Sequence, residues 1–114
     1  MTADELRAAI AAALSPRASV RPLALGELRL FVRSMTGAER VQLQRWQAEA
    51  AAGGEPLTDA RVAALGLCDE AGERLYPDPA ALAGFDGAAL SKISRAVLAA
   101  SGLIDDAVED AEKN

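Results

Sequence analysis

LRLFVRSMTGAE, residues 28–39, contains a change of period that decides the fold. Leu28, Leu30 and Val32 alternate with Arg29, Phe31 and Arg33, the two-residue rhythm of a strand with one buried face. Thr36 and Glu39 then stand at capping-box spacing, where a hydroxyl and a carboxylate satisfy the amides that a helix leaves unbonded at its start. A strand thus gives way to a helix within this stretch. Working outward from it, the sequence predicts an α+β chain, mainly helical, with about five helices. One small antiparallel β-hairpin over residues 19–33 lies in its N-terminal third.

Upstream, Val20, Leu23 and Leu25 supply the partner strand, and Gly26-Glu27 the turn. Pro22 has no N–H to donate to a ladder, so that partner is an edge. Before it, Thr2 and Glu5 open a helix over residues 2–14 in which Leu6, Ile10 and Leu14 recur every four residues on one face. Ser15-Pro16 closes it, because proline disfavours helical geometry in the residue before it.

Downstream, Leu43, Trp46 and Ala50 fall at helical spacing, and the helix is expected to run to about Ala52, before the break Gly53-Gly54-Glu55-Pro56. Thr58 or Asp59 caps a third segment carrying Val62, Leu65 and Cys68. Residues 60–68 are short and apolar enough for helix or strand, and periodicity does not choose. Asp69-Glu70-Ala71-Gly72 reads as a turn with Gly72 at positive φ, followed by Leu75 and Tyr76 as a short extended return. Asp78-Pro79 starts a short helix over 80–83. Asp86 caps a longer one with Leu90, Ile93 and Val97 on its apolar face. Gly102 ends that helix, with Leu103 placed for the contact that often follows such a stop. Residues 105–113 are expected as a frayed acidic helix held by Ile104 and Val108.

The length of 114 residues fits a single domain, 1–114. Alanine supplies much of the 51% hydrophobic content, which favours helices packed through small side chains. Aromatics are 4%, namely Phe31, Trp46, Tyr76 and Phe85. A net charge of -5 repels a phosphate backbone, so nucleic acid is not the expected partner. Arg17, Arg21, Arg29 and Arg33 are expected at solvated strand and loop positions. The one cysteine, Cys68, excludes an internal disulfide and fits a reducing compartment. Its apolar flank, Leu65-Gly66-Leu67, predicts a buried, inert thiol.

No apolar run approaches the roughly 20 residues that span a bilayer, and the acidic opening Asp4-Glu5 is unlike a signal peptide. The cytosol is the expected location. The chain has no histidine, which removes the commonest general base and metal ligand. Asp69, Glu70 and Glu73 lack the alternation of a calcium loop. Asp105, Asp106, Glu109 and Asp110 read as a solvated helical face. Gly53-Gly54 lacks the context of a phosphate loop. Catalytic, cofactor and metal sites are therefore not expected, and the chain reads as a binding protein.

Four segments carry a family likeness by their order: MTADELRAAI at the start, LRLFVRSMTGAERVQLQ after the hairpin turn, LGLCDEAGERLYPDP, and the SGL stop with its tail DDAVEDAEKN. Together they resemble the small tail assembly chaperones of phages and prophages with long non-contractile tails, over nearly the whole chain. The most telling parts are RSMTGAER (residues 33–40), the turn at 69–76 and the end at 101–114; Ile104 departs from the Ser, Thr or Asp expected there.

The resemblance implies a protein that binds the tape measure protein and keeps it competent while tail tube subunits polymerise around it. It also implies self-association and absence from the mature virion. In many relatives a frameshifted longer form recruits the major tail tube protein. Helix-in-groove contact with the client is the expected mechanism. Phe31, Trp46 and Phe85 are the candidate client or self-interaction residues, because large aromatics dominate interface energy; with so few aromatics, each also competes for a place in the core. The alternatives are a structural phage component, such as a head–tail joining protein or tail subunit, and a small regulatory binding protein.

Overall fold

The computed structural model describes residues 1–105. Helix α1 (Ala3–Ala13) leads through a 3₁₀ turn, Pro16–Ser19, into the hairpin of β1 (Arg21–Leu25) and β2 (Leu28–Val32). Then follow α2 (Gly37–Ala51), α3 (Asp59–Gly66), β3 (Leu67–Cys68), a second 3₁₀ turn at Pro79–Leu82, and α4 (Gly87–Ala100). The architecture is α+β, with four α-helices and a three-stranded antiparallel sheet of order β1-β2-β3 among the described residues.

The hairpin register pairs Leu25 with Leu28, Leu23 with Leu30 and Arg21 with Val32. Only two residues connect the strands, and Gly26 sits at φ 60 while no non-glycine residue among those described has positive φ. That is the type II′ pattern, whose twist matches the strands it joins. Pro22 lies on the free edge strand, where its missing N–H interrupts no ladder.

Residues 60–68, left open between helix and strand, are both. Thr58 caps α3 by accepting from the Arg61 amide, and the chain then turns at Gly66 into β3, which pairs antiparallel with Val32 and Phe31. This third strand is an addition to the expected hairpin. Periodicity did not distinguish the two states because every residue from Val62 to Cys68 is buried, leaving no polar face. Gly66 is required by contact. A β-carbon there would lie 2.6 Å from Val97 Cγ1 and 2.7 Å from the Arg33 carbonyl oxygen.

The expected helix at 80–83 is instead a single 3₁₀ turn, so the helix count falls from about five to four. Asp78 accepts from the Ala80 amide and Pro79 occupies the first position, but the segment stops after one turn. Apart from Asp105, the expected acidic helix at 105–113 lies outside the described residues.

The core lies where α3 packs on α4 and α4 on the inner face of the hairpin. Leu65, Leu82, Val32 and Val97 are its fully buried large side chains. Ala63 and Ala64, at 0% exposure, allow the close approach that the alanine content foretold. α4 ends as expected: Gly102 N–H donates to the Ala99 carbonyl and Leu103 N–H to Leu98, while Leu103 packs against the core. The Ser101 hydroxyl oxygen accepts from the Met35 amide, tying this helix end to the segment after β2.

The other two helices are peripheral. α2 buries only Leu43, with Trp46 partly buried against the core. α1 buries nothing. Among the described residues no helix is long and apolar enough to cross a membrane.

Candidate interaction surface

The sequence placed Arg33 in solvent, and the structure reverses this: it is 5% exposed. Its guanidinium donates from Nη1 to Glu39 Oε1 at 2.8 Å and from Nη2 to Glu39 Oε2 at 3.0 Å, a two-pronged fit to the carboxylate. Nε donates to the Gly72 carbonyl at 2.9 Å and Nη1 also to that of Ser34. Glu39 Oε1 accepts in addition from the Thr36 amide, completing the capping box of α2. Arg74 approaches Glu39 Oε2 to 3.5 Å and donates from Nε to the Ala64 carbonyl.

Along β2, burial rises toward the C-terminal end of the strand rather than alternating strictly with the sequence. Arg33 follows the C-terminal end of β2, where the 69–76 turn and the start of α2 fold over it. Leu28, on the apolar face, is 60% exposed because it sits at the hairpin tip.

Glu39 is pushed upward by burial, but the Arg33 hydrogen bonds, the Thr36 amide and the charges of Arg33 and Arg74 outweigh this and hold its carboxyl below the usual range. The same contact raises Arg33 despite the opposing effect of burial. Opposite Phe31, Cys68 is 1% exposed, and burial pushes its thiol up. The turn below is built by Asp69, whose carboxylate accepts from the Ala71 and Glu73 amides, with Gly72 at φ 88. The Arg33–Glu39–Arg74 cluster thus fastens the sheet, the α2 start and the 69–76 turn together. The Glu39 carboxylate is occupied by its two arginines, and its role is architectural.

The three aromatic candidates sit on different elements. Phe31 is half-buried on the outer face of β2 with the Arg29 guanidinium 5.7 Å from its ring centre. Phe85 is 52% exposed after the second 3₁₀ turn and meets Tyr76 edge-to-face at 5.9 Å. Trp46 is half-buried on α2, with the Arg61 guanidinium 5.2 Å from its ring centre. Trp46 also lines two open depressions. One, of about 380 Å³, lies beside Arg61, Asp78 and Pro79; the other, of about 300 Å³, lies beside Gln42, Leu65 and Arg74. Neither Phe31 nor Phe85 lines either of them. Arg61 flanks the larger one, paired through Nη2 with Glu55, while Nη1 is buried 3.7 Å from Glu49 without a hydrogen bond.

A further surface was not among the expected contact residues. The stripe along α1 and its C-terminal cap is open: Leu6 is 50% exposed, Ile10 46% and the capping residue Leu14 77%. The four-residue spacing shows the stripe in the sequence, but its failure to join the core is visible only in three dimensions. No protein-family model, curated protein or solved structure matches this chain.

Proposed function

We propose that the chain is a non-enzymatic binding protein, a tail assembly chaperone of long-tailed phages or prophages. In this reading it holds the tape measure protein in the bacterial cytosol during tail assembly, self-associates, and is left out of the finished particle. The observation that carries the reading is the exposed apolar stripe of α1. A helix with Leu6, Ile10 and Leu14 in water is a feature that a protein acting through its surface has use for. The order of the sequence segments described above directs it to tail assembly.

The two depressions that Trp46 lines support the client side of this reading. A half-buried indole between two shallow hollows suits an apolar ridge of a client helix laid along α2. The net charge of -5 keeps the loaded complex soluble.

Co-expression with an aggregation-prone, helix-rich tape measure segment tests the reading. The segment is expected to move from the pellet to the soluble fraction and to co-purify with this chain, while Trp46→Ala weakens capture. A segment that stays insoluble with equimolar chain present would refute the holdase reading. Detection of the chain in purified virions would refute its transience and favour a structural component.

A further inference from the structure

Leu43 and Leu57 frame a stretch of chain that the core hardly touches. Leu43 is buried and Leu57 packs on the core, whereas residues 44, 45, 47–49 and 51–56 are exposed. Between the two anchors, Trp46 alone is among the side chains packed against the core. The stretch takes in the last turns of α2 and the connection to α3.

One side chain outside the stretch gathers its contacts. The Arg61 guanidinium, carried by α3, meets the Trp46 ring at 5.2 Å, Glu49 at 3.7 Å, and Glu55. All three lie within residues 44–56. α3 is itself fixed, being buried from Val62 to Gly66. The two ends of α2 are thus fastened unequally. At its start the Arg33 and Glu39 side chains are 6% and 13% exposed, whereas Glu49 and Glu55, which reach Arg61 near its end, are 58% and 76% exposed. Ion pairs so open to water are weak. Segments with few buried contacts open locally before the fold as a whole.

We infer that residues 44–56 form a strap that opens locally between Leu43 and Leu57, with Arg61 as its catch. The inference rests on the client site proposed above and supplies its regulation. Trp46 belongs to the lining of both depressions, and the smaller one reaches buried Leu65. Opening takes Trp46 out of both linings and widens the way to Leu65. The closed strap therefore restricts the apolar floor that a ridge of the client would meet.

Hydrogen exchange of the full chain without client, resolved amide by amide by NMR, is the test. Amides 47–51 of α2 are expected to be less protected than amides 93–97 of α4. The double variant Glu49→Gln/Glu55→Gln changes two exposed positions and frees the catch from the strap's side. An exposed ion pair is worth roughly 1.5–5-fold in an equilibrium constant, so amides 47–51 are expected to exchange roughly 2–25-fold faster, with 93–97 unchanged. Arg61→Gln also loses the contact with the Trp46 ring and is expected to speed them further. Added salt is expected to act in the same direction on the wild type.

Amides 47–51 as well protected as 93–97 overturn the strap. Amides 47–51 that exchange fast but are unmoved by both variants overturn Arg61 as the catch and leave ordinary fraying of a helix end. Capture of the tape measure segment is expected to rise in Glu49→Gln/Glu55→Gln; equal capture by variant and wild type overturns the gating role. A segment that neither form keeps soluble overturns the client reading, while the strap stands or falls on exchange alone.

Discussion

Arg33→Ala removes a guanidinium that makes four hydrogen bonds: two to Glu39 and one each to the carbonyls of Gly72 and Ser34. The side chain is 6% exposed and that of Glu39 13%, so water does not readily replace the lost donors. Breaking a buried pair by deleting one partner costs about 3–5 kcal/mol, and Glu39 is then left with the Thr36 amide and the longer contact to Arg74 at 3.5 Å. A domain of this size has roughly 5–15 kcal/mol in total, and each kcal/mol moves its melting point by about 4–8 °C. The expected fall in Tm is therefore roughly 12–40 °C.

Urea and thermal unfolding followed by circular dichroism measure the effect. The double variant Arg33→Met/Glu39→Leu separates loss of the pair from loss of the fold: with both charges gone, much of the stability is expected to return. Arg33→Lys is expected to fall between, since a lysine lacks the fork that meets both carboxylate oxygens. A cost below about 1 kcal/mol for Arg33→Ala, the range of exposed ion pairs, would refute the claim that this cluster fastens the fold.

Four further outcomes follow from the same structure. Because Glu39 is held below its ordinary value of 4.5, its contribution is fully present above that pH and is lost as the pH falls through the lower folded value; the urea midpoint should drop on acidification, and Glu39→Gln should flatten that part of the profile. Gly66→Ala drives a methyl to within 2.6 Å of Val97 and 2.7 Å of the Arg33 carbonyl, for an expected loss of about 1–3 kcal/mol or more in urea titration. Trp46→Ala should cost less than the about 3–5 kcal/mol of a fully buried aromatic, because the residue is only partly buried against the core, while client co-purification falls. Leu6→Ala and Ile10→Ala should change monomer unfolding by no more than about 0.5 kcal/mol, since α1 buries nothing; a larger loss at low concentration would show that α1 is part of the core.

Local chemistry was legible where a few adjacent residues suffice. The Thr36–Glu39 box, the Asp86 cap, the Gly102 stop and the Gly26 turn each depend on hydrogen bonds closed within a few positions. The candidate contacts were less legible. Spacing showed that Leu6, Ile10 and Leu14 share a face, but whether a face meets the core depends on where the following chain goes. Pro16 ends the helix and the hairpin turns to α4, leaving that face in solvent. Likewise Arg33 carries the charge of a surface residue, and its enclosure is completed by the return of the chain at Gly72, 39 residues later.

The sequence by itself determined the order of the pieces, the strand period at 28–32, the caps that start the helices and the absence of histidine. The tertiary structure alone decided that Leu67 and Cys68 add a third strand, that Arg33 is interior and that α1 stands clear of the core. The physical reason is range. Caps, turns and periodicity are set by bonds within one or two turns of chain, whereas burial is a property of which distant surfaces meet.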